Sequence, residues 1–409
     1  MTPYPEPRSR KQTRAALLSH LLTAGDCFRG ELVSKLELTE ASISRIVSEL
    51  KAEGLVSEYA RRPAPYPGGP TNVVALNRSV PMAAIELANG RISVGVGNLA
   101  GELLFSHRQN LSNSLSADEV ESRVLEAIGA LAVWTHGQNI ELRQIAISLP
   151  GFGLSGELNS IVRTDAKCLT AIVFSHFGSV PCRVTNSVQA QAALHGFGIH
   201  STSENAEHLF VFVGHGVGAA HVGNMARGIE NRPVELGHIV MDPTGPLCRC
   251  GHHGCVEAYV GLPALADVFD LPEEALLVAG DQGLEVIQFT DRQTQKIDDM
   301  LFRLGIAIGN ALNVSPVQKI VLAGWPSLIP AISRKRLLDG IDRSVLGGVK
   351  SRNIELAFIA PLIGNDPMPT LCYAAYGFVQ SGAVMFTSAP NLTDVKRVRS
   401  KKDLNHPLV

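Results

Sequence analysis

Apolar residues recur at helical spacing over the first fifty residues of the chain. Leucines between residues 13 and 24 follow a helical period, and Gly25 interrupts it. Residues 29–35 predict a short second helix. A third begins at Thr39, a residue type that favours helix N-caps, and its apolar side chains fall at i, i+3, i+4 and i+7, namely Ile43, Ile46, Val47 and Leu50.

A hairpin is predicted after the third helix. Gly54 ends the helix, and two strand-like runs at residues 55–60 and 72–76 flank a Pro- and Gly-rich tip at residues 62–70. The order helix, turn, helix and hairpin is typical of a winged helix-turn-helix domain that binds DNA. We place this domain at residues 1–76.

The predicted outer face of the third helix carries small and hydroxylated side chains and one arginine. Such a face can approach a major groove closely and bond base edges or phosphates. Residues 1–62 hold ten Lys and Arg against eight Asp and Glu, so a helical bundle that binds a partner protein is the alternative. The predicted DNA contacts are Thr39, Ser42, Ser44 and Arg45 in the major groove, with Arg61 and Arg62 on phosphates or in the minor groove.

Strand and helix patterns alternate from residue 80 onward, which predicts an α/β fold with mixed sheets. The last twenty residues carry five Lys and Arg against two Asp, and we expect residues 389–409 to form a basic tail. The predicted strands are 83–85, 92–96, 144–149, 180–185, 209–213 and 319–323, with helices at 120–133 and 294–312.

Composition adds limits to this picture. With 409 residues, 45% hydrophobic and 18% charged, the chain is typical of a globular protein of two or three domains. The net charge of −2 means that any DNA contact depends on a local basic patch. No apolar run approaches the ~18 residues that span a bilayer, and no signal-peptide pattern is present. Seven cysteines, an odd number, favour a reducing cytoplasm, so we expect a cytoplasmic protein without membrane contact.

Three of the cysteines crowd into eight residues and follow a histidine. His238, Cys248, Cys250 and Cys255 form a Cys₃His set, which is a common closed tetrahedral zinc site. Because no ligand position is left open, we predict a structural Zn²⁺. The alternative is a coincidental group of buried thiols. His252 and His253 lie in the same loop and could compete as ligands, although we expect them to face solvent.

Two carboxylates flank this cysteine run. Glu235 lies one helical turn before His238, and Glu257 follows the last cysteine. Two acceptors and an imidazole held together would suit the hydroxyl groups of a sugar. The alternative for either glutamate is a solvated surface charge.

The cysteine run resembles the ROK family (repressors, open reading frames and kinases), as do three other elements and the preceding winged helix. These elements are Glu235-Leu236-Gly237-His238, the loop at residues 214–218 and the Pro150-Gly151 turn. The resemblance covers about residues 10–385 and points to the branch of transcriptional regulators. It implies zinc ligation by His238, Cys248, Cys250 and Cys255, and sugar contacts from Asn186, Glu235, His238 and Glu257.

The resemblance also implies an architecture. The winged helix is followed by an actin-like, hexokinase-type ROK domain of two α/β lobes at residues 80–388. Lobe one spans about 80–190 together with about 360–388, and lobe two spans about 191–359.

Several positions depart from the pattern of ROK kinases. Ser187 stands where those enzymes have a catalytic Asp, and a serine hydroxyl is too weakly basic to replace it. The first phosphate loop becomes Glu86-Leu87-Ala88-Asn89-Gly90, in which side chains fill the space that a phosphate would need. His215 replaces a threonine in the second phosphate loop. Gly324-Trp325 corresponds to a Gly-Gly position near the nucleotide base in those kinases, where the indole of Trp325 would crowd a purine. We expect that phosphoryl transfer is lost.

The resemblance and these departures favour a transcriptional regulator, most simply a repressor of carbohydrate metabolism. Its expected partners are double-stranded operator DNA, a sugar or sugar-phosphate effector, and further copies of itself in a homodimer or homotetramer. The competing class is an ATP-dependent sugar kinase with an added DNA-binding module. A third is a regulator whose sugar site has decayed and which answers to a partner protein.

Overall fold

Two compact units make up the protein. The first comprises Met1–Thr202, Met225–Ile229 and Asn365–Val409, and the second comprises Ser203–Asn224 and Glu230–Gly364. The computed structural model describes residues 9–61, 71–88, 90–111, 115–151, 166–196, 207–223, 231–272, 276, 289–330, 333–349, 353–359 and 367–383.

Eleven helices are numbered here in chain order within those described ranges. They are α1 Arg10–Ala24, α2 Arg29–Leu36, α3 Glu40–Ala52, α4 Ala117–Gly137, α5 Ala166–Phe177, α6 Ser187–Gly196, α7 Val256–Val260, α8 Leu262–Phe269, α9 Asp291–Val314, α10 Lys335–Ser344 and α11 Met368–Gln380.

Thirteen strands are numbered in the same way over the same part of the chain. They are β1 Cys27–Phe28, β2 Val56–Arg61, β3 Thr71–Leu76, β4 Pro81–Ala88, β5 Arg91–Asn98, β6 Leu103–Asn110, β7 Ile145–Leu149, β8 Cys182–Asn186, β9 His208–Val213, β10 Val217–Val222, β11 Arg232–Val234, β12 Lys319–Gly324 and β13 Glu355–Phe358.

The first unit begins with the three predicted helices and the predicted hairpin. Ser9 caps α1 by accepting a hydrogen bond from the Gln12 N–H, and Thr39 caps α3 through the Ser42 N–H. Strands β1, β3 and β2 form an antiparallel sheet in that order. This arrangement confirms the predicted winged-helix elements, whereas the hairpin tip at residues 62–70 lies outside the described residues.

A five-stranded mixed sheet completes the first unit, in the order β6-β5-β4-β7-β8. β4 and β5 form the predicted antiparallel hairpin, and β4, β7 and β8 run parallel. α4 packs against β5 and β6, while α11 packs against β4, β7 and α6. Side chains of α1, α3 and α11 share one hydrophobic core, which joins the winged helix to the body of this unit.

The second unit is built on a sheet of order β11-β10-β9-β12-β13. β9, β12 and β13 run parallel, and β10 and β11 are antiparallel additions. α9 and α10 pack together, and α7 and α8 pack against α9. Their apolar faces close one core with the sheet. This confirms the predicted strands at 209–213 and 319–323 and the predicted long helix.

None of the described helices combines the length and the apolar character that a bilayer crossing requires.

Candidate functional site

The predicted metal ligands come from a short turn and the loop that follows it. His238 ends the 3₁₀ turn Leu236–His238, and Cys255 is the N-cap residue of α7. The backbone of Val240 bridges to that of Cys255. The intervening loop therefore folds back and carries the other two cysteines toward the turn.

This fold-back depends on a glycine. Gly254 has φ +69°, and a Cβ at this position would meet the backbone of Asp242. Its N–H also donates to the Pro246 carbonyl at 2.8 Å. The positive φ and the close approach to Asp242 both require a residue without a side chain.

The structure brings the four predicted ligands together. Their donor atoms all lie within 4.8 Å of one another. Cys248 Sγ is 3.7 Å from His238 Nδ1, and Cys250 Sγ is 3.7 Å from Cys255 Sγ. Tetrahedral zinc with Zn–S bonds of ~2.3 Å separates its sulfur ligands by about 3.8 Å. The distances and the nitrogen–sulfur donor set therefore fit a zinc ion.

The three thiols differ in acidity because their surroundings differ. Burial raises the pKa of Cys248 to about 12, and burial also raises the pKa of Cys255. Burial opposes ionisation of Cys250 as well, but hydrogen bonds from the backbone and side chain of His252 outweigh it. With the other two thiols, they lower the Cys250 pKa to about 6. Cys250 is thus the thiol that most readily supplies a thiolate.

The two other histidines of the loop are exposed to solvent, in agreement with expectation. His252 Nδ1 lies 3.5 Å from Cys250 Sγ. His253 Nδ1 lies 2.9 Å from the Gly245 carbonyl, which can only accept a hydrogen bond. Neither belongs to the four-residue cluster.

Glu257 on α7 connects the cysteine cluster to the loop at residues 214–218. Its Oε2 accepts the N–H of Val217 at 2.9 Å. Its Oε1 lies 3.8 Å from Cys248 Sγ, which can donate as a thiol. The carboxylate is therefore held in place by groups on both sides.

Glu235 stands at the start of the turn that ends in His238, and its carbonyl accepts the His238 N–H at 3.1 Å. Its Oε1 atom is buried and accepts no hydrogen bond from the described residues. A buried carboxylate oxygen without a donor is costly, so this atom suits a ligand that brings one. Glu235, His238 and Glu257 all lie in the second unit.

Asn186, the remaining predicted sugar contact, lies in the first unit at the end of β8. Its Oδ1 accepts the N–H of Gln189 at 2.7 Å, so the side chain caps α6. The Oγ atom of the neighbouring Ser187 is buried and has no hydrogen-bond partner among the described residues.

Glu86, in the altered phosphate loop, is engaged inside the first unit. Its Oε1 lies 3.2 Å from an Arg91 guanidinium nitrogen, and its Oε2 accepts the Thr370 hydroxyl at 3.0 Å. Thr370 also lies 2.7 Å from the Ser148 hydroxyl. Asn89 of the same loop lies outside the described residues.

Trp325 belongs to the core of the second unit. Its side chain is buried there, and Nε1 donates to the Val260 carbonyl at 2.9 Å. That the indole would crowd a purine stays a prediction.

The predicted DNA contacts on α3 fall into two groups. Thr39 and Ser42 bond each other, with the Thr39 hydroxyl donating to Ser42 Oγ at 2.9 Å. Ser44 Oγ accepts from Arg29 at 3.0 Å, whereas Arg45 is exposed. Arg45 is therefore the most accessible of the four.

Arg29 is a residue that the sequence analysis missed. It lies at the start of α2 and joins Ser44 of α3 to Glu58 of β2, whose Oε1 is 2.7 Å from Arg29 Nε. The hydrogen bond from Arg29 holds the pKa of Glu58 below its usual value. The signal available in the sequence was a basic residue at the start of the predicted second helix. The side chains of Arg61 and Arg62, predicted at the wing, lie outside the described part of the structure.

A helix-turn-helix with a hairpin, carried by an α/β body with a Cys₃His cluster, defines the class of this protein. The sequence profile of the ROK family matches residues 82–357. The chain belongs to the ROK family, which confirms the predicted resemblance.

Curated relatives match most of the chain. The Xylose repressor of Bacillus spizizenii is 24% identical over 321 residues, covering 76% of this chain and 82% of that protein. The DNA-binding transcriptional dual regulator NagC of Escherichia coli is 24% identical over 352 residues, with coverage of 79% and 84%. The DNA-binding transcriptional repressor Mlc of the same organism is 26% identical over 273 residues, with coverage of 64% and 66%.

Solved structures show the same fold. A ROK family transcriptional regulator, described as a homologue of E. coli MLC, superposes with a TM-score of 0.70 at 23% identity, covering 91% of this chain and 97% of that one. The ROK hexokinase of Thermus thermophilus gives a TM-score of 0.53 at 21% identity, covering 72% and 97%. The predicted fold class is confirmed.

Proposed function

We propose that this protein is a DNA-binding transcriptional regulator, a repressor of carbohydrate metabolism that responds to a sugar or a sugar derivative. The observation that carries the proposal is the helix-turn-helix joined to a ROK body, and relatives named as repressors match more than three quarters of the chain. The curated relatives include repressors named for xylose and for N-acetylglucosamine, which makes these two sugars the first candidates.

The DNA contacts proposed are Thr39, Ser42, Ser44, Arg45, Arg61 and Arg62. Arg45 is the most informative of these, because its exposed side chain has no structural role among the described contacts. We expect the protein to enrich a duplex sequence from a random library at low salt. Arg45→Ala should weaken binding to that sequence roughly tenfold or more, whereas Arg123→Ala, a change at an exposed arginine of α4, should not. Failure of the wild-type protein to enrich any sequence would refute the proposal.

The Cys₃His cluster is proposed to hold a structural Zn²⁺ through His238, Cys248, Cys250 and Cys255. When bound, the ion would stabilise the loop and neutralise its thiolates. Because Nδ1 of His238 faces Cys248, His238 would hold the ion through Nδ1, which would leave the ring proton on Nε2. The imidazole would then keep one orientation and one tautomer.

The sugar site is proposed to use Glu235, His238 and Glu257. A sugar contact from Asn186, in the first unit, is a separate prediction. Support comes from the buried Oε1 of Glu235, which lacks a donor that a sugar hydroxyl would supply. Calorimetry with a panel of sugars should give a binder whose affinity falls about ten- to a hundredfold in Glu235→Gln. Glu355→Gln, at an exposed glutamate of β13, is the control. A panel without any binder would favour the regulator that answers to a partner protein.

Phosphoryl transfer is not part of this proposal. Ser187 offers no carboxylate base, and the Glu86 carboxylate is taken up by Arg91 and Thr370. A coupled assay of ATP turnover on common hexoses and N-acetylated amino sugars should therefore show no activity. Clear turnover would restore the alternative of a ROK sugar kinase.

We also propose a homodimer or homotetramer that binds a near-palindromic operator, since two-fold copies present paired recognition helices. Light scattering measures the mass directly. The division into residues 1–76, 80–388 and 389–409 is kept as part of the proposal, and the tail lies outside the described residues.

A further inference from the structure

Arg14 is a buried charge on the inner face of α1. Its side chain is 3% exposed. Burying a guanidinium is costly unless its N–H groups find acceptors. Arg14 meets this need through contacts to two different parts of the first unit.

The first contact is a two-pronged ion pair with Glu53, the residue that ends α3. The two terminal nitrogens of Arg14 donate to Oε1 and Oε2 of Glu53 at 2.8 and 2.6 Å. Such forked pairs fix geometry as well as supplying energy. The ion pair therefore ties the end of the recognition helix to α1.

The second contact is with the far end of the chain. Arg14 Nε donates to the Gly382 carbonyl, just past α11, at 2.8 Å. Gly382 has φ +66°, and a Cβ there would lie 2.7 Å from the Lys11 carbonyl and 3.1 Å from Arg14 Cβ. The backbone after α11 thus approaches α1 as closely as glycine permits.

Glu53 has another link to the body of the unit. Its backbone carbonyl accepts a hydrogen bond from Arg143, just before β7, at 3.1 Å. Glu53 is thus bound by its side chain to α1 and by its backbone to the segment leading into the five-stranded sheet.

α11 carries this connection into the body. It packs against α6, which begins directly after Asn186, and against β4 and β7. At its other end Thr370 bonds Glu86 and Ser148. One buried helix therefore touches Glu86 and Ser148 at one end and the winged helix at the other.

We propose that Arg14 is a positioning residue that locks the winged helix to α11, so that a displacement of α11 is delivered to the recognition helix. This inference rests on the proposed function for its consequence on DNA. The lock itself is a property of the first unit and has a readout that needs no DNA.

Arg10 provides a matched control within the same helix. It also pairs with an acidic residue of α3, since its side chain lies 3.0 Å from Glu49 Oε2, but it is 67% exposed. Among the described residues, the ion pair and hydrogen bond of Arg10 reach Glu49 and not α11. Comparing Arg14→Gln with Arg10→Gln therefore separates the link to α11 from a general loss of charge pairing between α1 and α3.

Hydrogen exchange followed by mass spectrometry tests the lock on the full chain. In Arg14→Gln we expect exchange to rise about tenfold or more in α1, in α3 and at the end of α11 together, because charged hydrogen bonds are lost at all three. The exchange of β4 and β5 should stay unchanged. Arg10→Gln should leave all of these segments near wild type.

Arg14→Lys decides the question if the glutamine variant does not fold. Lysine keeps the positive charge but lacks the forked geometry that reaches Glu53 and Gly382 together. It should show the same joint rise in exchange. If either folded variant exchanges like wild type, or if only α1 responds, the proposed lock is wrong.

A DNA measurement then separates this inference from the proposed function. With duplex selected by the wild-type protein, Arg14→Gln should bind at least about fivefold more weakly, and the effect of a bound sugar on DNA affinity should shrink. Unchanged DNA affinity and sugar response in a variant with raised exchange would overturn the role of the lock. If the wild-type protein selects no DNA, the proposed function fails while the exchange result still decides the lock.

Discussion

At the scale of single residues, the metal cluster shows how sequence spacing becomes geometry. Three cysteines within eight residues cannot converge on a point unless the backbone reverses, and Gly254 permits that reversal beside Asp242. All four donor atoms then lie within 4.8 Å of one another, and two pairs lie 3.7 Å apart, near the separation of ligands around tetrahedral zinc. The same loop holds Glu257 against Val217, so loss of the ion is expected to loosen a proposed sugar contact.

Removing one ligand should remove the metal. We expect wild-type protein to carry about one zinc per chain and Cys255→Ser to carry much less, because three remaining ligands hold zinc more weakly. Elemental analysis of purified protein measures this. Cys182→Ser is the control, since Cys182 lies in β8 of the first unit. Equal zinc contents in wild type and Cys255→Ser would count against the assignment.

The Glu58 carboxylate should make the winged helix sensitive to acid. The hydrogen bond from Arg29 lowers the pKa of Glu58 in the folded protein. The contribution of this carboxylate to the free energy of unfolding is therefore fully present above the ordinary pKa of about 4.5, and it is lost as the pH falls through the folded pKa. Glu58→Gln should therefore lower the free energy of unfolding at pH 7 by up to about 1 kcal/mol. The difference from wild type should shrink as the pH falls from about 4.5 through the folded pKa. Urea unfolding over a series of pH values measures it, and a difference independent of pH would contradict the assignment.

Residue types were easier to predict than their partners. The Cys₃His set was apparent from the spacing of its four residues alone. In contrast, the bonds of Ser44 to Arg29 and of Arg14 to Glu53 and Gly382 join segments up to 368 residues apart. A single sequence contains no signal for such pairings, and Arg14 looks like any other charge on a helix.

At the scale of elements, the recognition helix depends on its N-cap residue, Thr39. Thr39 accepts the Ser42 N–H and so satisfies a donor that the helix leaves open. Thr39 is also a proposed DNA contact. Its structural and DNA-binding roles need to be separated by experiment.

Two substitutions separate them. Thr39→Ala should lower the free energy of unfolding by about 1 kcal/mol, and Thr39→Ser should restore most of it, because serine caps as well as threonine. Chemical denaturation followed by circular dichroism measures both. If Thr39 acted only in DNA binding, wild type, Thr39→Ala and Thr39→Ser would have equal free energies of unfolding and would differ only in DNA affinity.

Among the helices, α3 and α9 were predicted from their polar and apolar faces, whereas α11 was missed. α3 and α9 show clear helical periods, and the hairpins show compact apolar runs between turn residues. α11 is buried around most of its circumference, so it has no polar stripe from which to infer a period. It nevertheless connects the core of the winged helix to the body, and this connection came only from the structure.

At the scale of the whole molecule, the family assignment and the fold agree, and the function follows from their combination. The ROK body supplies a Cys₃His cluster with Glu257 beside it, and the winged helix supplies an exposed arginine on α3. In a regulator, a ligand bound to the ROK body must change the affinity of the winged helix for DNA. The ligand can do so only by binding one conformational state of the protein more tightly than the other. Neither part alone would define a sugar-responsive repressor.

Fluorescence anisotropy of a selected duplex, titrated with protein at low salt, tests that coupling most directly. The account predicts tight binding without sugar and an affinity changed about fivefold or more by one sugar of the panel, with xylose and N-acetylglucosamine tested first. The same sugar should lose its effect in Glu235→Gln. Binding that no sugar alters, or no binding at all, would contradict the account.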